Sequence, residues 1–103
     1  MIITRQFTLQ TKGHCDIIDI TSPVARQVGE TPIVNGTVTI FVAGSTAGVT
    51  TIEYESGVLG DLQDMWERII PENTPYQHDR RWGDGNGYAH VRAAGSLTGG
   101  TLQ

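Results

Sequence analysis

The sequence predicts a mixed α+β domain built mostly on antiparallel strand pairing, with one main amphipathic helix and short flanking helices. Three observations carry this. Segments that alternate with a period of two stand on both sides of one long segment with helical spacing. Turns rich in glycine and small residues connect the alternating segments. And 103 residues make one domain, not two, so the chain 1–103 reads as a single domain.

In chain order, residues 2–10 alternate loosely, with Ile3, Phe7 and Leu9 on one face and Thr4, Gln6, Thr8 and Gln10 on the other. Lys12, Gly13 and His14 read as a turn before a second short strand over 15–20. Ser22 as a cap and Pro23 in the first turn predict a short helix that runs through Val28 and stops at Gly29. The cleanest strand is 37–42, with Val38, Ile40 and Val42 sharing a face. A small-residue turn over 43–48 leads into a returning strand over 49–55, a hairpin-type connection.

Ser56 opens the strongest helix. Val58, Leu62, Met65, Trp66 and Ile69 recur at helical spacing, while Asp61, Asp64 and Glu67 face away. Arg68 suits its last turn and Pro71 stops it. Residues 72–87 read as irregular and polar, followed by a short helix over 87–94 capped by Asp84 or Asn86. The terminal stretch 96–103 begins a strand.

Eleven acidic against seven basic residues leave a formal charge of −4, which argues against nucleic-acid binding through a basic stripe. Arg80 and Arg81, with Arg92 further on, are the local positive spot. No apolar run reaches the roughly 20 residues of a membrane span, and the first residues show no secretory signal. The lone Cys15 excludes an intrachain disulfide and a tetra-cysteine zinc site, and fits a reduced, cytoplasmic setting.

Functional groups concentrate in residues 76–90, where two of the three histidines, two carboxylates, two arginines and three glycines fall together. Such a stretch is either a solvated loop or a site held on a rigid frame. Its alternating glycines match neither a dinucleotide fingerprint nor a P-loop. They do let backbone N–H groups of Gly85, Asn86 and Gly87 turn toward an anion, with Arg80 and Arg81 adding charge. His78 and His90 stand twelve residues apart, which excludes an i, i+4 zinc pair. A reversal at the glycines brings them onto one metal or substrate, with Asp79, Asp84 or Glu53 as oxygen ligand. Ser45 and Thr46, in the small-residue turn, line a pocket without acting as nucleophiles.

Three blocks carry a family resemblance: Phe41-Val42-Ala43-Gly44-Ser45-Thr46-Ala47-Gly48-Val49-Thr50-Thr51-Ile52-Glu53-Tyr54-Glu55; Glu67-Arg68-Ile69-Ile70-Pro71-Glu72 with Pro75-Tyr76-Gln77-His78; and residues 82–93, around Trp82-Gly83-Asp84-Gly85-Asn86-Gly87-Tyr88-Ala89-His90. Together they resemble the YjbQ-like family across essentially the whole chain. The resemblance implies a β-sandwich-like α+β fold, a homotrimer, and a secondary thiamine-phosphate synthase activity. That activity joins hydroxymethylpyrimidine diphosphate to thiazole phosphate and releases diphosphate. It places a metal or anion pocket at His78 and His90, with Glu53, Asp84 and Asn86 nearby. Two departures stand out: Gly44 sits where many relatives carry histidine, and a C-terminal Gly-Thr-Trp-Gln block with its strands is not found after Gln103.

The expected catalytic residues are therefore His78, His90 and Glu53. The expected substrate contacts are Ser45, Thr46, Arg80, Arg81, Gly85, Asn86 and Gly87. His78, His90 and Asp84 are the expected ligands of a divalent ion, zinc or magnesium. The expected partners are two further copies of the chain and a small phosphorylated substrate, with neither nucleic acid nor membrane. A homotrimeric ligand- or metal-binding protein with little catalysis is the second reading.

Overall fold

The computed structural model describes residues 1–96. Four helices are present among them: α1 (Thr21–Gly29), α2 (Ser56–Ile69), α3 (Gln77–Trp82) and α4 (Gly87–Gly95). The expected strand at 96–103 lies outside the described residues beyond Ser96. The chain divides into two compact units, Met1–Val38 and Thr39–Gln103.

The expected antiparallel, β-sandwich-like architecture is overturned. The described residues contain no sheet, and Thr39 alone takes part in a β-bridge. Segments 2–10, 15–20, 37–42 and 49–55 alternate in sequence yet form no ladder. Alternation states that a segment suits a half-buried strand, but a strand is stable only against a partner whose backbone groups are in register. Local bonds take their place here. Gly44 N–H donates to Val42 O at 3.1 Å and Glu55 N–H to Glu53 O at 2.9 Å, so three-residue turns break the expected hairpin at both ends. Large apolar side chains consequently stay open, with Phe41 79% and Tyr54 52% exposed.

In the first unit, α1 starts one residue before the expected Ser22 cap. Ile20 holds the N-cap position and makes no side-chain cap bond. The carboxylate of Asp19 acts instead, accepting from Thr21 N–H at 2.9 Å. Bonds from the Thr21 side chain and backbone hold the Asp19 carboxyl below its ordinary value of 3.8. Arg26 lies in the last turn, and Thr31 closes the end by donating its N–H and its hydroxyl to Val28 O at 3.0 and 2.8 Å. Val24 is the buried residue of this helix. The expected turn at 12–14 forms, and extends one residue further. Gly13, His14 and Cys15 all have positive φ, and Lys12 N–H donates to Asp16 Oδ2 at 3.0 Å across the bend.

In the second unit, α2 runs over the residues its periodicity predicts. Its cap is Glu55, which the period of two assigns to a strand. The Glu55 carboxylate accepts from Gly57 N–H at 2.6 and 3.0 Å and from Val58 N–H at 3.3 Å, satisfying donors that have no partner in the first turn. Trp66 is half-buried, with its ring close against Gly95, and borders a groove of about 210 Å³ with Thr50, Leu62, Met65 and Ser96.

Segment 72–87 is not wholly irregular, because α3 lies inside it. Three signals explain that helix. Asp79 sits in the first turn and Arg80 and Arg81 in the last, both matching the helix dipole. Gly83 then takes the left-handed C-cap at φ 68°, its N–H donating to Asp79 O at 2.8 Å. Asn86 occupies the N-cap position of α4, without the side-chain bond expected of it.

Candidate functional site

The site is built on α3, the four-residue connection 83–86, and α4. Gly83 and Gly85 both adopt φ 68°, a left-handed conformation that only glycine takes without strain. The two reversals turn the chain back within four residues, so α3 and α4 pack together. At the start of α4 a side chain would not fit. A Cβ on Gly87 would lie 2.7 Å from Tyr76 Cβ and 2.9 Å from Asp79 Oδ1. That closeness lets Gly87 N–H donate to Asp79 Oδ1 at 2.8 Å. The N–H expected to meet a substrate anion is thus engaged by the protein's own carboxylate.

The reversal brings the two histidines together, as expected from the glycine hinge. The ring centroids of His78 and His90 are 4.4 Å apart at 40°, and both side chains are half-buried. His78 Nδ1 stands 3.3 Å from Asp84 Oδ1 and 3.7 Å from Asp79 Oδ1. Ligand atoms of His78, Asp79 and Asp84 all fall within 4.8 Å of one another. With its amide oriented to donate, Asn86 Nδ2 reaches Asp84 Oδ1 at 2.9 Å and Oδ2 at 3.2 Å, steadying that carboxylate.

Of the expected metal ligands, His78 and Asp84 lie in this group. His90 touches it through the imidazole of His78, and Asp79, first named as one of several alternative oxygen donors, takes a central place. Arg80 and Arg81 are exposed in the last turn of α3. Glu53, Ser45 and Thr46 are exposed in segment 43–55, and no hydrogen bond or ion pair among the described residues joins them to the histidines.

Arg92 is no part of a positive surface spot. It is 9% exposed, donates from Nε to Ile70 O at 2.9 Å and from Nη2 to Glu67 Oε2 at 2.9 Å, and lies 5.0 Å over the ring of Tyr88. This clamp ties α4 to the end of α2. Sequence reasoning could not find it, since Glu67 and Arg92 are 25 residues apart.

Relatives of known name bear on this arrangement. The family model described as UPF0047 protein YjbQ-like matches residues 5–102. The chain belongs to the YjbQ-like UPF0047 family. A UPF0047 protein of Methanothermobacter thermautotrophicus is 33% identical over 97% of this chain and 67% of its own length. Another from Archaeoglobus fulgidus is 34% identical over 85% of this chain and 66% of its own. A third, from Methanocaldococcus jannaschii, is 26% identical over 86% and 62%. This YjbQ-like chain therefore spans about two thirds of the length of the curated relatives it matches. No solved structure matches it significantly. Among the described residues, no helix is long and apolar enough to cross a membrane.

Proposed function

We propose that α3, the glycine turn and α4 form a divalent-cation site that receives a small phosphorylated substrate, in a cytoplasmic thiamine-phosphate synthase of the type the resemblance implies. One observation carries this reading: an imidazole nitrogen and two carboxylate groups converge within 4.8 Å. Such a donor set suits zinc or magnesium. His78, Asp79 and Asp84 would hold a divalent ion there, and such an ion would supply charge neutralisation for the phosphate oxygens of a departing diphosphate.

The chain's own residues then have distinct tasks. His78 and Asp79 present ligand atoms from α3, and Asp84 presents one from the turn. Gly87 N–H fixes Asp79, and Asn86 fixes Asp84. The guanidinium groups of Arg80 and Arg81 meet the remaining phosphate oxygens through charge-assisted hydrogen bonds. His90 sets the ring plane of His78 and offers a nitrogen for proton transfer.

A second reading, a binding protein with little catalysis, is favoured by the position of Glu53. The carboxylate expected to act catalytically is exposed and unconnected to the histidine pair. One experiment separates the readings. Titration calorimetry with zinc and magnesium, paired with an assay for thiamine phosphate, is run on the chain and on Asp84→Asn. The expected result is cation binding and turnover, both falling by about ten- to hundredfold in the variant. Binding without turnover selects the second reading, and absence of cation binding removes the cation site from both.

Assembly as a homotrimer belongs to the same proposal, supported by the open apolar side chains of the second unit. Light scattering is expected to give about three times the chain mass of 11.2 kDa. A monodisperse species at the single-chain mass would refute it.

A further inference from the structure

The chain contains two Asn-Gly pairs, Asn35-Gly36 and Asn86-Gly87, in contrasting surroundings. An asparagine followed by glycine is prone to ring closure, because no side chain shields the glycine nitrogen from the asparagine Cγ. Closure needs a nitrogen free to lose its proton, an amide carbon free to approach it, and a backbone free to turn. Asn86-Gly87 meets none of these conditions. Gly87 is buried, and its N–H donates to Asp79 Oδ1 at 2.8 Å. That carboxylate opposes negative charge on the nitrogen, as any like charge does. The Asn86 amide is engaged with both oxygens of Asp84, and the first turn of α4 fixes the backbone.

Asn35-Gly36 meets all three. Both residues are exposed and lie outside the four helices, after α1 and before the end of the first unit. No hydrogen bond among the described residues holds the Asn35 side chain or the Gly36 N–H. The preceding Val34 is 90% exposed, so the segment stands in water.

We propose that Asn35 is a site of spontaneous deamidation through a succinimide, while the second Asn-Gly pair is locked against the same reaction. Hydroxide removes the Gly36 N–H proton, and the nitrogen attacks Cγ of Asn35. The new N–Cγ bond forms, the bond from Cγ to the amide nitrogen breaks, and ammonia leaves with a proton from water. A further water then opens the ring. Attack at Cγ leaves aspartate, whereas attack at the main-chain carbonyl leaves isoaspartate, whose backbone runs through the side-chain carbon. Overall, one amide and one water become one carboxylate and one ammonium, with no change of oxidation state. Each event adds one negative charge to a chain of formal charge −4. The reaction does not depend on the cation-site reading.

The test is incubation of the folded chain at mildly alkaline pH, followed by peptide mapping with mass spectrometry. Chromatography separates the aspartyl from the isoaspartyl products, and both pairs are read in the same sample. Position 35 is expected to convert at least about tenfold faster than position 86, because reaction at 86 waits for local opening. Both products are expected at 35. In concentrated urea the two rates are expected to converge to within about threefold, since both segments are then open. Gly36→Ala is expected to slow conversion at 35 by about tenfold, because a methyl group then crowds the attacking nitrogen. Equal rates at the two pairs in the folded chain overturn the proposal, as does faster reaction at 86 or no conversion at 35. A difference that persists in urea assigns the contrast to neighbouring residue types and overturns the structural lock.

Discussion

Replacing Arg92 by alanine is expected to destabilise the protein by about 2 kcal/mol, as read by urea denaturation. The contrast with Arg5 shows why. Arg5 and Glu30 approach to 3.6 Å with side chains 44% and 52% exposed, an ion pair that water screens to about 0–1 kcal/mol. The Arg92 side chain is only 11% exposed, although Glu67 is 54% exposed, and it makes two charged hydrogen bonds of 2.9 Å, one of them to a backbone carbonyl that water does not replace as a partner for a buried guanidinium. Its removal leaves the Ile70 carbonyl without that donor and opens space beside Tyr88. Lysine is expected to recover little, because one ammonium cannot reproduce the planar fork that meets Ile70 O and Glu67 together. A loss below about 1 kcal/mol would place Arg92 in the same class as Arg5 and refute the clamp.

The second large effect is on cation binding. His78→Ala is expected to lower zinc affinity by more than about a hundredfold, whereas His90→Ala costs only about tenfold. The asymmetry follows from position. His78 Nδ1 belongs to the converging group with Asp79 and Asp84, while His90 contacts that group through the imidazole of His78. Zinc titration of both variants, with far-UV circular dichroism to confirm folding, reads the difference. Equal losses would make His90 a direct ligand and contradict the division of roles drawn from the geometry.

Helices were the legible part of this chain because a helix satisfies its backbone within itself. For α2, the spacing of Val58, Leu62, Met65, Trp66 and Ile69 fixes both ends, and Pro71 stops any extension. Pro23 and Gly29 bracket most of α1 in the same way. At six residues, α3 is too short for periodicity to show, although Asp79, Arg80, Arg81 and Gly83 already carried its dipole and cap signals. Alternation in 2–10 and 37–42 gave the wrong expectation because pairing depends on a partner strand, which no single segment specifies.

The site was legible to a similar degree. Convergence of His78 and His90 followed from glycines at 83, 85 and 87. Asp79 was harder to rank among the oxygen donors, since its bond to Gly87 N–H depends on the packing of two helices. Arg92 was visible as a charge and invisible as a buried one.

The connection at 83–86 is shaped by handedness, not by crowding. A Cβ on Gly83 or Gly85 would meet no heavy atom within 4 Å, yet both residues hold φ 68°. Bulk is therefore no objection to a substitution at either position; stereochemistry is. A D-alanine introduced by chemical synthesis would settle into this bend at ease, where its L-enantiomer would pull Asp84 away from His78. The distance between those two side chains is thus written into the chirality of two backbone centres.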